Sequence, residues 1–220
     1  MQPVACKTSP SKFIDSRHFK HLDVRQQTVG MFVNVDKEMA TAIGDNVGVN
    51  RPEGTHVDVE DSSPALSMTN SVHGAKTQTV AVLIGDGFPA AEVQETLETL
   101  KNHDVMVHVV SDKLGTVTGT GGMELPVDAT FVITHPGLFD SYYVVGGKSQ
   151  DNKMFEDHVR EFTRMAYKFF KPIGVASTGA SYLEHLDGSS LSGVIQAAET
   201  DNFPEAFVEA IAQQRFWDRL

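Results

Sequence analysis

The sequence predicts an α/β fold: a doubly wound, mostly parallel sheet with helices on both faces. Three observations carry this reading. Short runs such as TVAVLIG (79–85) and SYYVVGG (141–147) are almost continuously apolar, as strands buried on both faces should be. Segments whose apolar residues recur at helical spacing stand between such runs. Strand and helix then alternate from about Thr79 to the end, which implies parallel pairing through helical crossovers.

Taken in order, TVAVLIG is the first strand. Glu92 to His103 follows as an amphipathic helix carrying Val93, Leu97 and Leu100. VMVHVVS (105–111) reads as a second strand, and residues 116–134, TVTGTGGMELPVDATFVIT, as a glycine-rich hairpin. SYYVVGG is a third buried run and ends in Gly146-Gly147; its Tyr142-Tyr143 pair reads as core. Asp151 to Phe170 is a long helix with Phe155, Val159, Phe162, Met165, Ala166 and Phe169 on one side. PIGVAS (172–177) and GVIQAA (193–198) are further strands, with a helical stretch expected after Ser177. Phe203 to Trp217 reads as the closing helix, carrying Phe207, Ile211 and Phe216. Sites in such sheets form beyond the carboxyl ends of the strands.

The first 78 residues differ. Phe13 to Gly44 holds one or two short helices with too few apolar residues to enclose a core. Asn46 to Lys76 is polar, rich in Gly, Ser and Pro, and reads as a linker. The division expected is 1–44 helical, 45–76 linker and 77–220 α/β domain, together the tail of a larger protein.

Composition narrows the function classes. The chain has 220 residues, 40% of them hydrophobic, and a net charge of −11 with no basic tract, which argues against a nucleic-acid partner. No apolar run is long enough to cross a bilayer as a helix, and the opening MQPVACKTSPSK lacks the apolar core of a secretory signal. Cys6 is the single cysteine, so no intrachain disulfide can form. The compartment stays open.

One stretch looks chemical. VASTGASYLEHL (175–186) takes an apolar strand into Ser177, Thr178-Gly179 and a helical pattern, the outline of a strand-to-helix nucleophile elbow. A serine nucleophile needs a general base. The only histidine close in sequence is His185, expected to point away along the helix, so a turn or cap role for Ser177 is favoured. Weaker candidates give way to simpler readings. His18 and His21 lack a third metal ligand. GTVTGTGG (115–122) lacks the lysine and strand-to-helix setting of a phosphate loop. GDGFP (85–89) precedes a helix, but Asp86 disfavours an anion there.

The alternation, the elbow and the double glycine together resemble the glutamine-amidotransferase-like (PfpI) superfamily, whose fold is flavodoxin-like. The whole chain further resembles the C-terminal end of large-subunit haem catalases. NVDKEMATAIGDNVGV is similar to the last helix of their core, and SPALSMTNSVHGAKTQTVAVLI to the linker into their appended domain. KLGTVTGTGGMELPVDATF and FVEAIAQQRFWDRL are similar to that domain's hairpin and last helix. The resemblance implies a homotetrameric parent that dismutates hydrogen peroxide with haem. Family members hold the haem through an Arg-x-x-x-Tyr tyrosinate, and no arginine here is followed four residues later by tyrosine. This piece is therefore expected to bind no cofactor or metal and to be inert toward peroxide. Its partners would be the rest of the subunit and the tetramer.

The superfamily also implies what the elbow once did. Its active members carry a cysteine there, held as a reactive thiolate beside a glutamate. Ser177 falls at the cysteine position, Glu92 at the glutamate, and Gly146 and Gly147 at the oxyanion loop. A stabilising, chaperone-like domain that holds unfolded clients is the favoured reading. A PfpI-type hydrolase or deglycase, or a small-molecule module using the Ser177/Glu92 pocket or holding a flavin, is the alternative.

Overall fold

The computed structural model describes residues 21–50, 53–54, 63, 65, 73–186 and 190–219. They divide into two compact units, broken between Ser71 and Val72.

The first unit is a pair of helices, α1 (Leu22–Phe32) and α2 (Lys37–Val47). The Asp36 carboxylate caps α2 by accepting the Met39 N–H at 2.8 Å, and Gly48 ends it in the left-handed conformation at φ 68°. Arg25 of α1 donates to the Val47 carbonyl at 2.6 Å. Among the described residues the shared core holds Val29, Ile43, Val47 and Val49, with Phe32 and Met39 packed against it, while Leu22, Val24, Met31 and Val35 are exposed. So small a core stabilises little by itself.

The second unit is built on a six-stranded sheet. Its strands are β1 (Thr79–Ile84), β2 (Met106–Ser111), β5 (Ala129–Thr130), β6 (Ser141–Gly146), β7 (Ile173–Val175) and β8 (Val194–Gln196), in the order β5-β2-β1-β6-β7-β8. Every pairing is parallel. The five strands from β2 to β8 follow the 2-1-3-4-5 order of a flavodoxin-like sheet. The order reverses between β1 and β6. A separate antiparallel ribbon joins β3 (Gly115–Thr118) to β4 (Glu124–Val127).

Side-chain alternation along the strands creates two cores. Val80, Val82, Ile84, Tyr143 and Val145 face helices α3 (Ala90–Asn102) and α5 (Phe203–Gln213). Ala81, Leu83, Tyr142 and Val144 face α4 (Asn152–Lys168), which packs through Phe155, Val159, Phe162 and Ala166. Adjacent Tyr142 and Tyr143 thus enter opposite cores, and both are fully buried.

Three elements differ from the sequence reading. The stretch after Ser177 is a 3₁₀ segment, Ala180–Leu186, not an α-helix. Its apolar residues Leu183 and Leu186 are three apart, the spacing that a 3₁₀ turn stacks on one side, and both are buried. The hairpin closes at Val127: beyond it the Asp128 carboxylate accepts the Val109 N–H at 2.7 Å and turns Ala129–Thr130 into the sheet as an edge strand. The closing helix stops at Gln213, because Gln214 adopts φ 64° and Phe216 N–H donates to the Phe170 carbonyl at 2.9 Å.

The buried tyrosines give a pH signature. Burial raises the pKa of Tyr143 above its ordinary 10.0 and does the same for Tyr142. Both stay neutral in the fold while the unfolded chain ionises near pH 10. Stability from them is therefore constant below about pH 10 and falls above it, by about 1.4 kcal/mol per pH unit for each tyrosine. In urea unfolding between pH 9 and 11, Tyr143→Phe should lose stability with a shallower slope than the unmodified chain. An unchanged slope would refute the assignment.

Candidate functional site

At the carboxyl end of the sheet, the turns after β1, β6 and β7 meet. The turn after β1, Gly85–Pro89, leads into α3, whose first turn carries Glu92. The turn after β6 is Gly146–Ser149, and the turn after β7 carries Ser177.

The first two turns are sewn together by their backbones. Gly85 N–H donates to the Gly146 carbonyl at 2.9 Å, Asp86 N–H to Lys148 at 2.8 Å, and Lys148 N–H back to Asp86 at 2.7 Å. Gly147, at φ 137°, makes this approach possible: a Cβ there would lie 2.5 Å from Gly85 backbone atoms. The stitch sits where the strand order reverses, and it uses the amides of Asp86 and Lys148 that a phosphate bound there would need.

The β3–β4 ribbon holds the same turn from its other side. Thr118 N–H donates to the Asp86 carboxylate at 2.8 Å, and Gly87 N–H to the Thr118 carbonyl at 2.7 Å. Gly119 packs against the buried Phe88 ring, where a Cβ would lie 2.5 Å from a ring carbon. The Thr120 hydroxyl accepts the Ala90 N–H at 3.0 Å, capping α3 from outside the helix. GDGFP is thus held from inside the protein.

These contacts place Glu92 against the elbow. Its Oε1 accepts the Ser177 backbone N–H at 2.8 Å and its Oε2 accepts the Ser177 hydroxyl at 2.5 Å. One carboxylate therefore clasps one residue through both oxygens, which fixes α3 to the end of β7. Thr178 adds a hydroxyl bond to the Val145 carbonyl at 2.8 Å. Ser177 and Thr178 are exposed, Glu92 half-buried.

The sequence reading brought together Ser177, Glu92, Gly146 and Gly147, and all four lie on these turns. Their geometry differs from a working nucleophile in two ways. The described non-glycine residues with positive φ are Thr77, Asp104, Phe170 and Gln214, so Ser177 sits without the backbone strain common at such elbows. The only side chain hydrogen-bonded to its hydroxyl among the described residues is a carboxylate, a weak base for an alcohol. The side chain of His185 and all of His18 lie outside the described residues.

Gly146, at φ 76°, leaves room for Tyr182, whose ring would sit 2.4 Å from a Cβ there. The Tyr182 hydroxyl is 3.4 Å from the Gly147 carbonyl, and burial raises its pKa. An aromatic ring thus occupies the side of Gly146 that the oxyanion reading left open. The parts missed from sequence are the Thr120 cap, the Asp86–Lys148 stitch and Tyr182. The glycines of 115–122 were the one visible trace of the first.

The chain is 37% identical over 206 residues to Catalase-2 of Bacillus subtilis and 35% identical over 196 residues to a catalase of Alkalihalophilus pseudofirmus. These alignments cover 91% and 89% of this chain but 29% of each relative, so the chain spans less than a third of the catalases it matches. A ThiJ/PfpI domain protein from Brachyspira murdochii shares the fold at TM-score 0.51 and 17% identity, covering 63% of this chain and 98% of that one. Residues 76–220 match the family model described as the C-terminal domain found in long catalases. The chain belongs to that family.

Proposed function

We propose that this chain is the non-catalytic C-terminal part of a haem catalase that dismutates hydrogen peroxide. On this reading residues 1–44 are the end of the catalase core, 45–76 a linker and 77–220 the appended domain. The carrying observation is the clasp of Glu92 on Ser177. It keeps the outline of a PfpI elbow, but puts an unstrained serine, bonded among the described side chains to a carboxylate, where a thiolate would act. Ser177 and Glu92 then serve as a latch between α3 and β7.

The residues do not fit haem. Four tyrosines are present. Tyr142 and Tyr143 lie fully inside the sheet, Tyr167 donates to the Ser190 carbonyl at 2.6 Å, and Tyr182 packs on Gly146. Each of the four is thus engaged in packing or in a hydrogen bond of its own, which supports assigning the haem to the part of the parent outside this chain. Two functions follow for the domain: stabilising the tetramer and, when isolated, holding unfolded clients. Exposed Leu22, Val24, Met31 and Val35 supply apolar surface for clients, and the charge of −11 keeps the loaded protein soluble.

Purified chain should show no haem absorbance band, no oxygen release from peroxide, and no labelling of Ser177 by a fluorophosphonate. Labelling would turn the reading toward the hydrolase alternative. As a latch, the clasp is worth stability: Glu92→Ala should cost about 2 kcal/mol and Ser177→Ala about 1 kcal/mol. For a domain of this size these are melting shifts of about 2–8 °C, and unchanged melting temperatures would remove the latch. A heat-labile enzyme warmed with the chain should scatter less light than with an inert acidic protein, and less protection should remain without residues 1–76. Scattering equal to the control would end the holdase reading.

A further inference from the structure

Among the described residues of the α/β unit, the three most exposed large apolar side chains fall within one short segment after β5: Val132 at 77%, Ile133 at 69% and Leu138 at 69% relative exposure. Scattered single apolar residues on a surface need no explanation. These three sit on a loop that the fold fixes at both ends and in the middle. Phe131 and Phe139 anchor its ends in the α4 core, Phe131 edge-on to Phe155 and Phe162 at 5.6 and 5.3 Å. Ile133 and Thr134 N–H groups donate to the Thr130 carbonyl at 3.2 and 3.1 Å, and Gly137 N–H donates to His135 Nδ1 at 2.9 Å.

The middle is held by a buried cation. Lys171, 6% exposed, sends its ammonium to the Phe139 carbonyl and, at 3.4 Å, to Pro136, whose carbonyl also accepts the Tyr142 hydroxyl. Burial of that lysine opposes its charge and lowers its pKa. The fold thus accepts a desolvation cost to fix a loop that turns branched aliphatic side chains outward. Such preorganisation favours docking, because little entropy remains to be lost on contact.

Resting on the catalase reading above, we propose that segment 132–138 is the docking loop of this domain, and that its occupant is the catalytic part of the same long catalase. The chain accounts for 29% of the length of the catalases it matches, so the larger part of such a protein lies outside it. A domain borne by that protein needs a fixed apolar face toward it, and among the described residues of the α/β unit this loop offers the most exposed one.

Hydrogen exchange by mass spectrometry tests this in the full-length protein and in the isolated chain. Peptides over 131–139 should exchange at least about tenfold more slowly in the full-length protein, while peptides over β1 and β6 match. The variant Val132→Ser/Ile133→Ser/Leu138→Ser should return the loop to the isolated rate with an unchanged circular dichroism spectrum. Equal rates in both unmodified proteins overturn the proposal, as does protection that survives the triple substitution. Protection that appears in the isolated chain on raising its concentration would assign the loop to a second copy instead and also overturn it. Peroxide consumption by the same full-length sample checks the catalase reading separately, since its absence would strike that reading whatever the loop does.

Discussion

The carboxyl end of the sheet depends on two chains passing closer than side chains allow. Gly85 and Gly147 meet at the point where β1 and β6 part, and a methyl group on either would collide with the other strand's backbone. From that approach follow the paired bonds of Asp86 and Lys148, the course of the turn into α3, and the position of Glu92 against Ser177. The ribbon completes the arrangement by gripping the same turn through Asp86, Phe88 and Ala90. A site that elsewhere is a crevice is here closed by its own main chain.

Much of the fold was legible because two-sided burial leaves an unmistakable mark. TVAVLI and SYYVVG are apolar apart from Thr79, Ser141 and the tyrosine hydroxyls, and both lie at the centre of the sheet. The long α4 repeats its apolar residues so regularly that its face could be read directly. Where the reading slipped, tertiary contacts decided. Nothing in FVEAIAQQRFWDRL marks Gln214 as the end of a helix, since the bond from Phe216 to Phe170 joins residues far apart in sequence. VDAT gave no sign of changing sheets, because the exchange rests on Asp128, whose amide and carboxylate both bond Val109 of β2, 19 residues earlier.

The elbow shows the same division between what a sequence records and what it leaves out. The residue types at 92, 146, 147 and 177 were readable by position, but not the way they bond. Glu92 could have faced solvent or a substrate; it meets both the amide and the hydroxyl of one serine. Gly146 could have stood by an open hole; it makes space for Tyr182. Both outcomes exchange chemistry for packing, and each involves residues at least 36 positions apart, 85 in the case of the clasp.

The identity of the clasped residue has a further consequence. Ser177 is exposed just beyond the carboxyl end of β7. A thiolate in that place would be open to sulfenic and then irreversible sulfinic and sulfonic oxidation whenever peroxide was near. A hydroxyl has no such ladder to climb. In a protein whose neighbouring part consumes peroxide, as proposed above, an oxygen at this position lets the latch between α3 and β7 outlast the oxidant, with no reductase needed to restore it.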